Sequence, residues 1–422
     1  MKQHFKLFLF FICLFGSLKI LAQQNSPVDW KSDIEFLKKE LPLKHKNFFF
    51  QYPEASFNRD LDQLISVCSG LSDLQVALKL QQIVVKAGDA HSGVEYYKFM
   101  DKKFFFAVSS SWLSDGLFIL ATSKGNREIL GTKLEKINGT PIETIVDSLS
   151  TLFVVDNDAC KKVSIPNLIR YPELLEYFGF GSREKTDLTV ISPDGSEKIH
   201  SVVFKEDNDS VYVEFKPDTL PFYRRSPEKF FNEKYFEQDS IYFVQYNRCW
   251  SKELEEGYGD KTKAAKMPSF VEFEQTVFKT IREKPIKKLI VDLRFNSGGS
   301  SLQGTDFVKQ LAGMESINRR NKIYVVIGKR TFSSAIINVM DFKRYTKAVT
   351  IGEETSGSPN HFGELKTFSL PSSQLKIAYS TKYFKLVDGK GKSIVPDIKC
   401  ATGLSDVARG VDPVYEYLVG GK

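Results

Sequence analysis

The chain has 422 residues, which is longer than one ordinary domain and predicts two or three. Hydrophobic residues make up 42% and charged residues 26%, fractions typical of a soluble globular protein with a sizeable core. The formal net charge is +7, and the basic residues are scattered along the chain, which argues against a nucleic-acid-binding surface.

Residues 1–22 have the pattern of a secretory signal peptide. Lys2 and Lys6 precede an apolar run at 7–18, and Ala22 marks the predicted cleavage site. The run is too short to span a bilayer comfortably. The chain is therefore predicted to be exported, either periplasmic or associated with the outer membrane. Membrane association would require an uncleaved N-terminus or a lipid on Cys13, whose flanking residues make a poor acylation site.

Residues 23–104 are predicted to form a helical cap. Apolar residues recur at helical spacing from about 30 to 86, and Ser72 or Asp73 is a suitable N-cap. The helical pattern ends in GDAHSG at 88–93, where the spacing changes towards that of a strand.

Residues 105–205 are predicted to be rich in strands, with one amphipathic helix at 142–153. The segment GTKLEKINGTPIETI at 131–145 resembles the middle of PDZ domains, which bind an extended peptide by adding it to a sheet edge. A strand-rich spacer without a ligand is the alternative interpretation.

Residues 206–422 are predicted to form an α/β core. Strands are expected at 240–249, 287–295, 321–329 and 347–354, alternating with helices at 269–283, 299–313 and 333–345. The polar stretch at 251–269 is expected to be a loop.

Common catalytic motifs are missing from the sequence. It contains no GxSxG, HExxH, GxGxxG or P-loop, and no zinc-type cysteine or histidine spacing, so neither a metal nor a cofactor is expected. Four cysteines lie beyond the signal segment, far apart, and are predicted to be buried free thiols: Cys68, Cys160, Cys249 and Cys400.

Two turns between strands and helices remain as candidates for chemistry. In RFNSGGS, Gly298 and Gly299 would allow backbone N–H groups to approach a ligand, although a simple tight turn explains them as well. In GKRTFSSAI, Ser333 or Ser334 would lie at a helix N-terminus on the carboxyl edge of the sheet. A serine there is also an ordinary N-cap.

A catalytic serine needs a base, and the mature chain has four histidines. His91 lies in the glycine-flanked GDAHSG turn, two residues after Asp89. His361 lies in a loop after a predicted strand, where it would line a pocket. His45 falls in a helical segment and is predicted to be a surface or core residue, and His200 lies in the strand-rich region without an adjacent acid.

The segments DLRFNSGG, TFSSA and TIGEETSGS together resemble the core of the tail-specific, or C-terminal-processing, serine peptidases. The resemblance extends over nearly the whole mature chain. It implies an α/β peptidase core related to crotonase and the Clp protease, in an α+β multidomain chain with a helical cap and a PDZ-like module. The family pattern places the nucleophile at Ser333 and the oxyanion donors at Ser334 and at Gly298 or Gly299.

The resemblance also assigns the base. One branch of the family uses a lysine, but Ser358 stands at the matching position here. The other branch resembles the tricorn-protease core and the interphotoreceptor retinoid-binding proteins, and takes its base from a D-x-H-[TS] motif. GDAHSG matches that motif, so His91 is the predicted general base, oriented by Ser92.

The third member of the site departs from the family pattern. The acid should be a Glu about six residues before the IVPDI turn, but Lys390 stands there, and Asp388 is predicted to substitute. The other candidates are Asp89, Glu353 and Glu354, and His361 is a further residue for orientation or substrate contact.

The resemblance therefore predicts an exported serine peptidase, an endopeptidase or a C-terminal-processing enzyme, acting on peptides or proteins through an acyl-enzyme. Two alternatives keep the same scaffold without catalysis: a protein that binds lipids or retinoid-like ligands, and a peptide-binding accessory protein. The sequence does not predict the oligomeric state.

Overall fold

A computed structural model describes residues 27–101, 104–203, 205–206, 212–389 and 391–420 of the chain. The predicted signal segment at 1–22, with Cys13, and position 390 lie outside the described residues. No helix in the described ranges is long and apolar enough to cross a membrane.

Three helices form the N-terminal cap, as the sequence predicted: α1 (Trp30–Lys44), α2 (Glu54–Val67) and α3 (Asp73–Val84). The Ser72 hydroxyl accepts the N–H of Gln75, and the Gln75 side chain returns a bond to the Ser72 N–H. This capping box sets the start of α3. A 3₁₀ turn and Gly88, at φ 78°, end α3, and the GDAHSG turn begins at Gly88.

The strand-rich region follows the cap and contains these elements: β1 (Gly93–Val94), β2 (Phe104–Phe105), β3 (Val108–Leu113), β4 (Gly116–Ser123), β5 (Lys133–Ile137), β6 (Thr140–Pro141), α4 (Ile142–Leu149), α5 (Asp158–Leu168), α6 (Pro172–Tyr177), β7 (Lys185–Ile191), β8 (Glu197–Val203), β9 (Lys205–Glu206) and β10 (Tyr212–Glu214). The main sheet has the order β10-β4-β5-β7-β8, and β3 pairs with β4. Helices α5 and α6 were not predicted. Proline at 166, inside α5, hides the helical signal.

The C-terminal core contains α7 (Phe222–Arg225), β11 (Phe231–Phe236), β12 (Ile241–Tyr246), α8 (Lys252–Gly257), α9 (Lys261–Ala264), α10 (Phe270–Glu283), β13 (Lys288–Asp292), α11 (Leu302–Ala312), β14 (Ile323–Ile327), α12 (Ser334–Tyr345), β15 (Val349–Gly352), β18 (Ile398–Lys399), α13 (Leu404–Arg409) and α14 (Pro413–Gly420). Its sheet runs β11-β12-β13-β14-β15-β18 and is parallel from β12 onwards. Strands β12 and β14 are buried along their whole length, as expected for a sheet covered on both faces. The prediction of a loop at 251–269 was wrong, because α8 and α9 lie there.

A long hairpin joins the core to the cap. Its strands are β16 (His361–Ser369) and β17 (Lys376–Phe384), and β17 pairs with β1 of the cap. Leu370 and Leu375, at the hairpin tip, are fully buried in the same apolar cluster as the cap helices. The hairpin therefore fixes the GDAHSG turn, which precedes β1, against the core.

The four cysteines in the described ranges are unpaired. Cys68, Cys160 and Cys249 are buried as predicted, whereas Cys400 is half-buried.

Candidate active site

Ser333 occupies a strained turn between β14 and α12. Its backbone has φ 52° and ψ −125°, a conformation that costs a non-glycine residue on the order of 1–3 kcal/mol. The buried hydroxyl of Thr331 accepts the Gly328 N–H at 3.0 Å and donates to the Leu293 carbonyl at 2.9 Å. These bonds hold the turn, so the serine side chain projects from a fixed strand–turn–helix corner, the kind of corner that carries the nucleophile in α/β-hydrolases.

His91 comes from the cap and meets Ser333 across the boundary between cap and core. Its Nε2 lies 3.0 Å from Ser333 Oγ, which is hydrogen-bonding distance for a nucleophile and its base. The imidazole stacks on Phe332 with ring centroids 4.9 Å apart, and its side chain is only 14% exposed. The two predicted residues, 242 positions apart in the chain, are thus brought together.

The carboxylate beside His91 belongs to Asp89. Its Oδ1 accepts the His91 backbone N–H at 2.9 Å and lies 3.7 Å from His91 Nδ1. Its Oδ2 accepts a hydrogen bond of 2.5 Å from the Ser92 hydroxyl. Ser92 therefore holds Asp89, which in turn lies against His91. His91 Nδ1 is buried and has no hydrogen-bond partner among the described residues, so the Asp89–His91 contact needs a shift of under 1 Å to become a bond.

The structure corrects the prediction of Asp388 as the acid. The Asp388 side chain is fully exposed and pairs with Lys385 at 3.1 Å, in the loop after β17. A carboxylate in that position is solvated and cannot orient a buried imidazole. Asp89, a weaker candidate from the sequence, has the buried position and the contacts that this role requires. Glu353 pairs with Lys329 at 2.7 Å, and Glu354 accepts a hydrogen bond from Ser393.

Asp89 is a carboxylate rather than a neutral acid. Its complete burial would by itself raise its pKa, but the hydrogen bonds from the His45 and Ser92 side chains, together with the nearby His91, outweigh that effect and hold the pKa well below its ordinary value. A negative charge is therefore available to stabilise a protonated His91.

The glycine turn after β13 lies directly against Ser333. A Cβ on Gly298 would fall 2.8 Å from Ser333 Cβ, and a Cβ on Gly299 would fall 2.2 Å from the Cys249 carbonyl oxygen. Both residues have positive φ, 108° and 134°. Only glycine fits this approach without strain or displacement.

The two predicted glycine donors differ. The Gly298 N–H already donates to Asn296 Oδ1 at 2.9 Å, so it is not free to bind an oxyanion. Within the described residues, neither the Gly299 N–H nor the Ser334 N–H donates a hydrogen bond. The Ser334 hydroxyl donates to the Gly299 carbonyl at 2.7 Å and ties the two turns together. Gly299 and Ser334 thus remain as the candidate oxyanion donors.

The sequence analysis did not single out Asn296, which joins these turns. It is fully buried, and its side-chain Nδ2 donates to the Tyr246 carbonyl at 2.9 Å. The backbone carbonyl of Asn296 accepts the Phe332 N–H at 3.1 Å. With the bond to Gly298, one side chain and its backbone hold β12, the glycine turn and the serine turn in register. The only sequence signal was its place in the RFNSGG segment.

His361, from β16, lies on the other side of His91, with ring centroids 6.0 Å apart. Its Nδ1 donates to the Ser358 carbonyl at 2.9 Å. Burial, together with the nearby His91, lowers the pKa of His361 to about 4, so this ring is neutral at neutral pH. Ser358, at the position of the lysine base in the other family branch, donates to the Gly391 carbonyl.

Two cavities adjoin this region. One, of about 700 Å³, lies beside His91 and is lined by the cap turn, α5 and β17. The other, of about 690 Å³, lies between β3, α5 and the carboxyl ends of β13, β14 and β15. His91, which contacts Ser333, is part of the lining of the first cavity.

Comparison with known proteins shows the fold. The structure resembles mature CPAF complexed with lactacystin at a TM-score of 0.58, with 14% identity over 93% of this chain and 99% of that chain. The photosystem II D1 C-terminal processing protease matches at 0.38, with 12% identity over 91% of this chain and 98% of that one. The tricorn protease matches at 0.42, with 14% identity over 93% of this chain and 36% of that one.

The last two scores are too low to carry an argument, but the CPAF match confirms the mixed α and β multidomain fold that the sequence resemblance implied. In fold, the CPAF match is consistent with the resemblance to the tail-specific peptidases. No family model matches the chain, and no curated protein matches its sequence.

Proposed function

We propose that the protein is a serine peptidase in which Ser333 is the nucleophile and His91 the general base. The observation that carries the proposal is the 3.0 Å contact between His91 Nε2 and Ser333 Oγ, on a serine held in a strained turn. Asp89, rather than the predicted Asp388, is the acid behind His91. No residue of this set needs a metal or cofactor.

The reaction follows from these positions. His91 Nε2 takes the Ser333 proton as Oγ attacks the scissile carbonyl, and the oxygen that becomes negative is bound by the N–H groups of Gly299 and Ser334. His91 then delivers the proton to the leaving amine, and an acyl-enzyme remains on Ser333. His91 then takes a proton from a water molecule, whose oxygen attacks the acyl carbon. The ester bond to Ser333 Oγ breaks, the carboxylic acid product leaves, and His91 returns the proton to Oγ. The charge on Asp89 stabilises the imidazolium in both halves.

Peptide recognition is proposed for the edge strand β3. Among the described strands β3 pairs only with β4, and its other side faces α5 across the cavity that reaches the carboxyl ends of the core strands. An extended peptide added to this edge would point towards the core. This arrangement supports the PDZ-like interpretation, which was drawn from the segment at 131–145. Export, from the pattern at 1–22, is proposed alongside it, and N-terminal sequencing of the mature protein from fractionated cells tests it.

The activity is tested by labelling purified protein with a fluorophosphonate probe and by profiling cleavage of a peptide library. The wild type is expected to label once per chain and to cleave, whereas Ser333→Ala abolishes both. Ser196→Ala, in an exposed turn bonded to Asp194, is the matched control and should label fully. A folded wild type that neither labels nor cleaves would remove the peptidase proposal. Retained lipid in such a protein would favour the ligand-binding alternative.

A further inference from the structure

His45 lies directly behind Asp89, in a place the sequence analysis did not expect for a functional residue. Its side chain is 1% exposed, and its Nε2 is 3.1 Å from Asp89 Oδ2, the oxygen that also accepts the Ser92 hydroxyl. The four side chains Ser333, His91, Asp89 and His45 therefore form a continuous line of polar contacts from the site into the cap.

The proton position on His45 follows from its second nitrogen. Nδ1 accepts the backbone N–H of Asn47 at 3.0 Å, so Nδ1 carries no proton. A neutral imidazole has one N–H, which must then be at Nε2 and aimed at Asp89. His45 is therefore a donor to the carboxylate.

The His45 ring is fixed on all sides. It packs edge-on against Phe48 with ring centroids 5.7 Å apart and lies 4.9 Å from the ring of Phe362 on β16. The next residue, Lys46, donates its N–H to the Ser380 carbonyl of β17 at 2.9 Å. The end of α1 and the hairpin together prevent the imidazole from turning away.

We propose that His45 is a positioning residue for this site. Its Nε2–H holds one oxygen of Asp89, together with Ser92, so that the other oxygen faces His91. This proposal rests on the proposed serine peptidase function and extends it from three residues to four. His45 does not line the cavity beside His91, so it acts through Asp89 and not on the substrate.

Removing His45 should therefore lower kcat and leave KM unchanged. A hydrogen bond to a charged buried group is lost and the carboxylate becomes free to rotate, so a decrease in kcat of roughly tenfold to a hundredfold is expected. Without the His45 N–H, fewer hydrogen bonds offset the negative charge of Asp89, so the carboxylate attracts a protonated His91 more strongly. The acid limb of the kcat/KM profile should move to higher pH.

The other charged and titratable groups around this line come from different elements. His361 on β16 stacks on His91. Asp156, in the loop before α5, is coupled electrostatically to Asp89 and Lys392, and burial together with Asp89 raises the pKa of Asp156 to about 6. These groups are unchanged in a His45 variant, so the shift of the acid limb relative to the wild type reports the loss of the donor.

The experiment compares His45→Leu, which has no donor, with His45→Gln, whose amide nitrogen reaches the place of Nε2. His200→Leu is the matched control, because His200 bonds to Asn126 in the strand-rich region. Steady-state kinetics on a cleaved library peptide and the rate of fluorophosphonate labelling are measured against pH. If His45→Leu does not fold, His45→Asn replaces it, because its shorter amide does not reach Asp89.

The proposal expects His45→Leu to lose kcat and shift the acid limb, His45→Gln to recover both, and His200→Leu to match the wild type. A uniform loss of activity without a pH shift, or equal loss in the glutamine variant, would mean that His45 only fills space and would overturn the proposal. A wild type that does not label at all instead refutes the peptidase function itself. Nitrogen-15 NMR of histidine-labelled protein adds an independent check: a proton on His45 Nδ1 contradicts the assignment regardless of activity.

Discussion

Replacing Asp89 by asparagine tests the central electrostatic argument about the site. The substitution keeps the shape of the side chain, removes its charge, and replaces one of its two accepting oxygens by an NH2 group that cannot accept a hydrogen bond. The carboxylate oxygen lies 3.7 Å from His91 Nδ1, and its attraction to a protonated imidazole is about 4 kcal/mol at an effective dielectric constant of about 20. That energy corresponds to a decrease of roughly 10³-fold in kcat/KM.

The matched control is Asp388→Asn, which alters the acid that the sequence predicted. Because its side chain is fully exposed, the asparagine variant is expected to stay within about twofold of the wild type. The assay is kcat/KM on a cleaved peptide, with circular dichroism and thermal unfolding to confirm that both variants are folded. The assignment of Asp89 as the acid would be refuted by an Asp89→Asn variant whose kcat/KM stays within tenfold of the wild type. A large loss of kcat/KM in Asp388→Asn would refute it as well.

The same residue links stability to pH. The folded pKa of Asp89 lies below its unfolded value, so its contribution to stability is present above the unfolded pKa, which is about 4, and is lost as the pH falls from there through the folded pKa. The wild type should therefore be more stable than Asp89→Asn at pH 7, with a difference that shrinks below about pH 4. Denaturant unfolding at several pH values measures this, and a difference that grows in acid would contradict it.

Two further predictions concern the turns around Ser333. Gly298→Ala places a methyl group 2.8 Å from Ser333 Cβ on a backbone with φ 108°, so it should abolish fluorophosphonate labelling. Gly195→Ala is the control, because Gly195 has a similar positive φ of 84° but open space around it. The control should label normally and lose only about 1 kcal/mol of stability in thermal unfolding. Asn296→Ala leaves the Tyr246 carbonyl and the Gly298 N–H without their hydrogen-bond partner. It should lower the free energy of unfolding, measured by denaturant titration, by about 2–5 kcal/mol. A loss under about 1 kcal/mol would show that the two turns keep their structure without Asn296.

Local patterns in the sequence were sufficient for most elements. The period of apolar residues predicted α1 to α3, and buried apolar runs predicted the parallel strands β12 to β15. Short polar helices were missed, because α8 and α9 bury little apolar surface and have no strong period. The β16–β17 hairpin was also missed. Its partner is β1, more than 280 residues earlier, and no local pattern indicates such a pairing.

The sequence by itself determined the chemical residues of the proposed site: a serine at a strand-to-helix corner, a glycine turn after a buried strand, and a histidine in GDAHSG. Each depends on local backbone geometry that short segments specify. Only the tertiary structure decided which groups surround them. Asp89 replaced Asp388, the Gly298 N–H proved to be occupied by Asn296, and His45 lay behind the acid, because burial and contact depend on packing between segments that are distant in the chain.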